Sequence, residues 1–203
     1  MFHRCPACGA DREDAGVRVD PDGPALVCGG CDHEQSFVMP TLRIVTGAAG
    51  AGKSTVMREL AGDVDATLFE DEQLWHEAFE SEPEAAFDDY VLRVLRDAAQ
   101  SGPPPVLFTT GMGVPGNVED LSNRRFFGES HYLALVCSTA EQAARLRGRA
   151  GWEGEDEWAD VETQTEFGDW FRENATELGI DLLDTTDASV EETVADVRAW
   201  LAT

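Results

Sequence analysis

The chain has 203 residues with 40 Asp or Glu against 15 Lys or Arg, a formal net charge of −25 at pH 7. That length accommodates one α/β domain and a small appendage rather than two full domains, and so acidic a surface repels nucleic acid and anionic membranes. No apolar run of about eighteen residues and no basic-then-apolar leader occurs, so the sequence predicts a soluble, cytoplasmic protein.

The first elements in chain order are two C-x-x-C knuckles, Cys5-Pro-Ala-Cys8 and Cys28-Gly-Gly-Cys31, separated by nineteen residues. This spacing is that of a four-thiolate zinc site, and five cysteines in a chain of this type point to metal before disulfides. Gly9 and Gly29 are placed to relieve the backbone beside the sulfurs. Val17–Val19 and Ala25–Val27 can pair across Asp20-Pro-Asp-Gly23 as a hairpin. Residues 1–40 resemble a zinc ribbon, too short for an adequate apolar core, so zinc binding worth about 10–16 kcal/mol would drive much of its folding. Four cysteines complete a tetrahedron, which leaves His3 and His33 as surface residues. The segment carries three Arg against seven Asp or Glu, and a four-thiolate zinc centre adds two negative charges. A structural or protein-docking role is therefore expected of it rather than nucleic-acid binding.

Pro40 closes this segment and a larger unit, residues 41–203, begins with almost no linker. Leu42–Thr46 reads as a buried strand and Lys53–Leu60 as a helix, with Gly47-Ala-Ala-Gly-Ala-Gly-Lys-Ser54 at the turn between them. This is the G-x-x-x-x-G-K-[ST] pattern in the strand-to-helix context it requires. Gly47, Gly50 and Gly52 let the backbone curl so that successive N–H groups at the helix start point at a nucleotide phosphate. Lys53 would bridge the β- and γ-phosphates of ATP, the Ser54 hydroxyl would coordinate Mg²⁺, and Thr55 follows in the same nucleotide-binding turn. Lys53 is also the only lysine in the chain. An acidic, lysine-poor composition resembles that of proteins from salt-accumulating halophiles, where molar salt screens self-repulsion over about 3 Å; a GC-rich genome would also favour Arg over Lys.

Further strands are predicted at Ala66–Phe69, Val106–Thr109, Tyr132–Cys137 and Ile180–Leu183. Helices are predicted at Glu84–Ala99, at roughly 140–148 and 163–178, and from Ser189, which opens a Ser-x-x-Glu capping box, to Leu201. The fold class expected is α/β: a P-loop NTPase with a five-stranded parallel sheet covered by helices on both faces, preceded by the small β zinc ribbon, with active residues at the carboxyl ends of the strands. Cys137, at the end of an apolar strand without a companion thiol, reads as core filling.

The missing lysines exclude GTPases that read guanine with an Asn/Thr-Lys-x-Asp motif. Phe108-Thr-Thr-Gly111 ends its strand without the acid usual in motor-like ATPases. From about residue 41 onward the chain resembles the small P-loop kinases of the nucleoside, gluconate and shikimate kinase type, which share the adenylate-kinase-like fold. The resemblance rests on Leu68-Phe-Glu-Asp-Glu-Gln-Leu-Trp75, Val106–Gly111, His131–Cys137 followed by Arg145-Leu-Arg-Gly-Arg149, and Leu183-Asp-Thr-Thr186. It implies that Arg145 and Arg149 stabilise the transferring phosphoryl group as a lid closes. The lid then departs from the family, with Ala150 before Gly-Trp-Glu153 and the acidic run Glu153-Gly-Glu-Asp-Glu157.

A hydroxyl acceptor needs a carboxylate base at the end of the second strand of the larger unit. Asp71 is the choice, with Glu72 and Glu70 as alternatives, while His76 and His131 read as structural. Thr185 and Thr186 fall where adenine would lie. The function expected is ATP-dependent phosphoryl transfer to a small molecule such as a nucleoside or nucleotide. The alternative is a nucleotide-dependent regulatory module or ATPase whose ribbon docks a protein partner.

Overall fold

The computed structural model describes residues 4–11, 15–149 and 160–203. Near the N terminus, β1 (Gly16–Asp20), β2 (Gly23–Val27) and β3 (Glu34–Ser36) form an antiparallel sheet in the order β1-β2-β3. The predicted hairpin is present, with Val17 opposite Leu26 and Asp20 opposite Gly23. Asp20 closes the turn by accepting from Asp22 N–H at 3.0 Å. The third strand was not anticipated, because Glu34-Gln-Ser36 has no apolar alternation of its own; it is recruited by pairing with Ala25–Val27.

The larger unit alternates β4 (Leu42–Thr46), α1 (Lys53–Leu60), β5 (Thr67–Glu70), α2 (Glu84–Ala98), β6 (Pro105–Phe108), α3 (Pro115–Glu119), β7 (Ser130–Val136), α4 (Thr139–Gly148), α5 (Val161–Leu178), β8 (Ile180–Asp184) and α6 (Val190–Leu201). Its five strands are parallel, in the order β5-β6-β4-β7-β8. β4 therefore sits at the centre, where the chain switches from building one half of the sheet to building the other, and ligands bind at the carboxyl end of such a switch point. α6 begins at the expected capping box, in which Glu192 N–H donates to Ser189 Oγ at 3.2 Å and Ser189 N–H to Glu192 Oε2 at 2.9 Å.

Alternate residues of the strands feed two cores. Leu42, Ile44, Leu107, Tyr132, Ala134 and Val136 face α2 and α5, meeting Val91, Leu92, Leu95, Phe171 and Ala175. Val45, Val106, Phe108, Leu133 and Leu135 face α1 and α6, meeting Val56, Leu60, Val194 and Val197. Period-two alternation is what lets one sheet bury both faces. Cys137 is buried at the end of this arrangement, in keeping with its reading as core.

The N-terminal sheet is not an isolated appendage. Ala15, Leu26 and Phe37 belong to the same buried cluster as α2 and α5. Phe37 packs edge-to-face on Phe126 with ring centroids 6.0 Å apart, and Arg96 lies over the same Phe126 ring at 4.9 Å. Beside them Val38 N–H donates to Gln100 Oε1 and Gln100 Nε2 donates to Val38 C=O, both at 2.8 Å. One glutamine side chain thus replaces a strand partner at the junction.

Phe37 is 7% exposed and contributes aromatic area where the two units meet. Phe37→Ala should lower the unfolding free energy by about 3 kcal/mol, measured by urea unfolding in molar KCl. A loss below about 1 kcal/mol would show that the junction is not held there.

Candidate active site and metal centre

The loop between β4 and α1 takes the shape its glycines allow. Gly47, Gly50 and Gly52 have φ of 131°, 84° and 106°. At Gly47 a side chain is excluded twice over, since a Cβ there would lie 2.2 Å from the Leu135 carbonyl oxygen. Sequence reasoning missed what braces the loop from behind. Ala49 N–H donates to Gln164 Oε1 at 2.8 Å, while Gln142 Nε2 donates to Ala49 C=O at 2.8 Å and to Gln164 C=O at 2.7 Å. Both glutamines are buried, Gln142 being only 1% exposed, in helices whose pattern gave no reason to single out a polar residue.

Lys53 opens α1 and turns back over the loop, donating from Nζ to Gly47 C=O at 2.7 Å and Ala48 C=O at 3.2 Å. Burial pushes its ammonium down to about 8; Asp71, Glu72 and Glu70 act in the opposite direction and Arg149 adds to the depression. The Ser54 hydroxyl donates to Glu70 Oε1 at 2.5 Å, and Gln73 Nε2 donates to Glu70 Oε2 at 3.0 Å. Thr55 also lines the cleft.

The three candidate bases separate by environment. Glu70 is engaged with Ser54, and Glu72 is exposed. Asp71 is 8% exposed, accepts from the Thr109 hydroxyl on Oδ2, and accepts from Glu72 N–H on Oδ1 at 2.9 Å. Thr109 is itself held by Met112 N–H at 3.1 Å. Burial raises the Asp71 carboxyl above its ordinary value, against the lowering effect of the Thr109 hydrogen bond. β6 ends without an acid, as expected, and its Thr109 instead grips an acid delivered by the neighbouring edge strand β5.

Behind this wall lies Asp88, one helical turn beyond Glu84 on α2 and 6% exposed. Burial first, then Glu84 and Asp71, push its carboxyl up to about 7. Asp88 was not singled out from the sequence, where it reads as one more acid in an acidic helix. His76 packs against Phe79 and Tyr90, with ring centroids at 4.5 and 5.9 Å, and His131 lies at the exposed start of β7 beside Glu129. Neither is in the cleft lining.

Arg145 and Arg149 both line the cleft, a space of about 1390 Å³, and Arg147 does not. Arg145 donates to Thr185 C=O at 2.8 Å and Thr185 Oγ1 at 3.1 Å, and pairs with Glu141 at 2.9 Å. Thr185 Oγ1 also lies 3.2 Å from Ala51 C=O, so Arg145, the end of β8 and the loop form one node. Thr186 stands apart from the cleft: its hydroxyl donates to Asp184 Oδ1 at 2.5 Å and accepts from Ser138 N–H at 2.8 Å, tying β8 to the start of α4. The acidic lid segment Glu153–Glu157, with Ala150 and Trp152, lies outside the described residues.

The four knuckle cysteines bring their Sγ atoms within 4.8 Å of one another. Cys5–Cys31 and Cys8–Cys28 are each separated by 3.7 Å between sulfurs. A disulfide is about 2.05 Å, whereas the edge of a tetrahedron with Zn–S of about 2.3 Å is ~3.8 Å, so the spacing fits a four-thiolate zinc site. The two knuckles repeat one geometry. Cys5 N–H donates to Ala10 C=O and Cys5 C=O accepts from Gly9 N–H, both at 2.8 Å; Cys28 does the same with His33 at 3.0 Å and Asp32 at 2.9 Å. The left-handed residue is Gly9 at φ 75° in the first and Asp32 at φ 56° in the second. The role expected of Gly29 therefore falls on Asp32, four residues after its cysteine as Gly9 is, and aspartate tolerates that region better than most side chains. His33 is half-buried, and His3 lies outside the described residues.

The parallel sheet, its strand order and the loop define the fold of the small P-loop kinases. No family model and no curated protein matches the sequence. Among solved structures, a gluconokinase from Sinorhizobium meliloti 1021 is similar at 19% identity and a TM-score of 0.55, covering 81% of this chain and 93% of that one. A shikimate kinase from Acinetobacter baumannii in complex with shikimate gives 18% identity, a TM-score of 0.53, and 81% and 94% coverage. The tunicamycin resistance protein of Deinococcus radiodurans gives 16% identity, a TM-score of 0.57, and 81% and 96% coverage. At such identities the likeness is one of fold. About a fifth of this chain is left uncovered in each, which is the length of the N-terminal zinc-ribbon-like segment.

Two measurements follow from these geometries. Purified protein should carry one zinc per chain by elemental analysis and lose it with Cys8→Ser, while removing the metal should lower the midpoint of the main unfolding transition because Ala15, Leu26 and Phe37 share its core. A metal-free native protein would contradict this. With Lys53 titrating at about 8, a bound triphosphate favours its charged form, so nucleotide binding at pH 8.5 should take up roughly half a proton or more. Calorimetry in buffers of different ionisation enthalpy reads this uptake, and heats independent of buffer would show a lysine charged before binding.

Proposed function

We propose that this protein is an ATP- and Mg²⁺-dependent phosphotransferase that phosphorylates a hydroxyl group of a small molecule. The observation that carries the reading is the meeting of Lys53 and Asp71 in one cleft: after burial, the Asp71 carboxylate is the strongest influence on the Lys53 ammonium. A carboxylate there is within the cleft that an acceptor hydroxyl would enter, which is where a general base for its proton is needed.

In this reading the loop N–H groups at the start of α1 and Lys53 hold the β- and γ-phosphates, with Gly47, Gly50 and Gly52 providing the curvature. Ser54, with Glu70 against its hydroxyl, would hold Mg²⁺, which when bound neutralises charge on the phosphates. Asp71 accepts the proton of the acceptor hydroxyl as its oxygen forms a bond to the γ-phosphorus. The bond from that phosphorus to the β–γ bridging oxygen breaks, and ADP leaves with the electron pair. Thr109 and the Glu72 N–H act through Asp71 by fixing Oδ2 and Oδ1, and the second lone pair of each oxygen is left for the hydroxyl. Arg149, close enough to depress Lys53, adds positive charge where the transferring group passes. Arg145, bonded to Thr185 beside the loop, is better suited to the nucleoside end than to the transferring phosphoryl group. The zinc-ribbon-like segment keeps a structural role through Phe37 and Gln100, and the nucleotide and small-molecule acceptor are the partners the cleft requires.

Lys53→Ala should lower acceptor-dependent ADP release at least ~10²-fold, the range for removing one preorganised electrostatic group. Asp71→Asn should cut kcat comparably with little change in the Kd for ATP. The wild-type rate should fall with acid through an apparent pKa above the ordinary aspartate value of 3.8, since the base must be ionised. Wild-type turnover in either variant removes that residue from the chemistry.

A further inference from the structure

The cleft is divided by charge. Its cations, Lys53, Arg58, Arg145 and Arg149, come from the loop, α1 and the end of α4, all on the nucleotide side. On the opposite side the lining consists of Asp71, Glu72, Gln73, Trp75, Glu84 and the Thr109–Gly111 turn, with no cationic side chain among the described residues. The sequence from 150 to 159, Ala-Gly-Trp-Glu-Gly-Glu-Asp-Glu-Trp-Ala, has no lysine or arginine to add.

Exposed acids are ordinary on this chain, but Asp88 is not exposed. It is 6% accessible, no hydrogen-bond donor reaches it among the described residues, and its electrostatic neighbours Asp71 and Glu84 both line the cleft. A buried carboxylate surrounded by acids is costly unless a cation or a proton compensates it. Glu84, one turn before it on α2, lines the open space, with Oε1 3.5 Å from where a side chain on Gly111 would begin. Trp75 is a second anomaly of the same lining: a large apolar side chain left 48% exposed close in sequence to Asp71, Glu72 and Gln73. Carboxylates with an exposed aromatic ring are the chemistry that recognises organic cations.

We propose that the phosphoryl acceptor is a hydroxyl compound bearing a protonated amine, its ammonium bound at Glu84 and Trp75 in front of the buried carboxylate of Asp88. The proposal rests on the phosphotransferase reading above and names its substrate class. The ammonium has no free lone pair and is not the nucleophile; the new bond is from the hydroxyl oxygen to phosphorus, the hydroxyl proton passes to Asp71, and the ammonium keeps its charge throughout. An acceptor bearing a carboxylate or phosphate would meet the same wall with no cation to answer it, so the site selects against anions as well as for the amine.

The test is acceptor-dependent ADP release with Mg²⁺ATP, at a KCl concentration that keeps the chain folded, using matched sets: glucosamine, glucose and gluconate; serinol, glycerol and glycerate. In each set the amine should show a KM at least about tenfold below that of the neutral compound, and the anion should be the poorest. Glu84→Gln, at an exposed first-turn position of α2, should erase that preference by raising KM for the amine about tenfold with kcat changed less than about threefold. Asp88→Asn should weaken it in the same direction. Equal use of amine and neutral compounds, preference for the anion, or a preference that survives Glu84→Gln overturns the inference while phosphoryl transfer stands. ATP turnover that depends on Lys53 but responds to none of the six compounds overturns it too, and with it the small-molecule acceptor of the underlying reading.

Discussion

The glycine-rich loop of this protein depends on the clamping of one residue, Ala49, from both sides. Its N–H and C=O are taken by Gln164 and Gln142, and Gln142 also bonds the Gln164 backbone. Both bonds are part-buried, and the two amides together fix the direction of this peptide, so the loop holds its curve only while both are in place. The helices that supply them, α4 and α5, are consecutive in the chain, and α4 also carries Arg145. The conformation of the loop and the placement of the arginines are therefore one problem: an α4 that moved would uncover Ala49 as it moved Arg145.

Much of this was legible in the sequence. The G-x-x-x-x-G-K-S run, the alternation of apolar strands with helical segments and the capping box at Ser189 each carry a local physical cause, and each is found where expected, with strand ends moved by one or two residues. The knuckles were legible because ligand spacing is itself a geometric statement. What escaped depends on contacts between distant segments. Gln142 and Gln164 look like any polar residues on amphipathic helices until a loop lies against them. Asp88 is lost in a chain of 40 acids, and only burial distinguishes it. Thr186 stood at the right strand end, yet its hydroxyl serves the backbone of Ser138, and its neighbour Thr185 faces the cleft. Asp32 took the left-handed position because knuckle geometry counts from the cysteine, not from the nearest glycine.

The acidic composition has different meanings in different places. On the open surface, carboxylates hold water and ions and say little about function. Around the cleft they are graded: Glu70 bonded to the Ser54 hydroxyl, Asp71 bonded to Thr109, and Asp88 on α2 without a donor among the described residues. The same residue type thus passes from a polar, engaged environment beside the loop to a desolvated one behind the opposite wall. A single lysine at one end is enough to give that series a direction.

Helix α2 joins the two ends of the molecule. Its first turn, Glu84, lines the cleft, and Gln100, just past its last turn, is hydrogen-bonded to Val38 where the N-terminal sheet ends. Fifteen residues make a rod about 22 Å long. With the far end fastened and Val91, Leu92 and Leu95 buried in the core, that rod fixes the position of Glu84 relative to the Gln100 junction. The N-terminal segment, absent from the cleft lining, is therefore joined through a single helix to a residue that lines it, so the thiolate knuckles and the cleft share one rigid element.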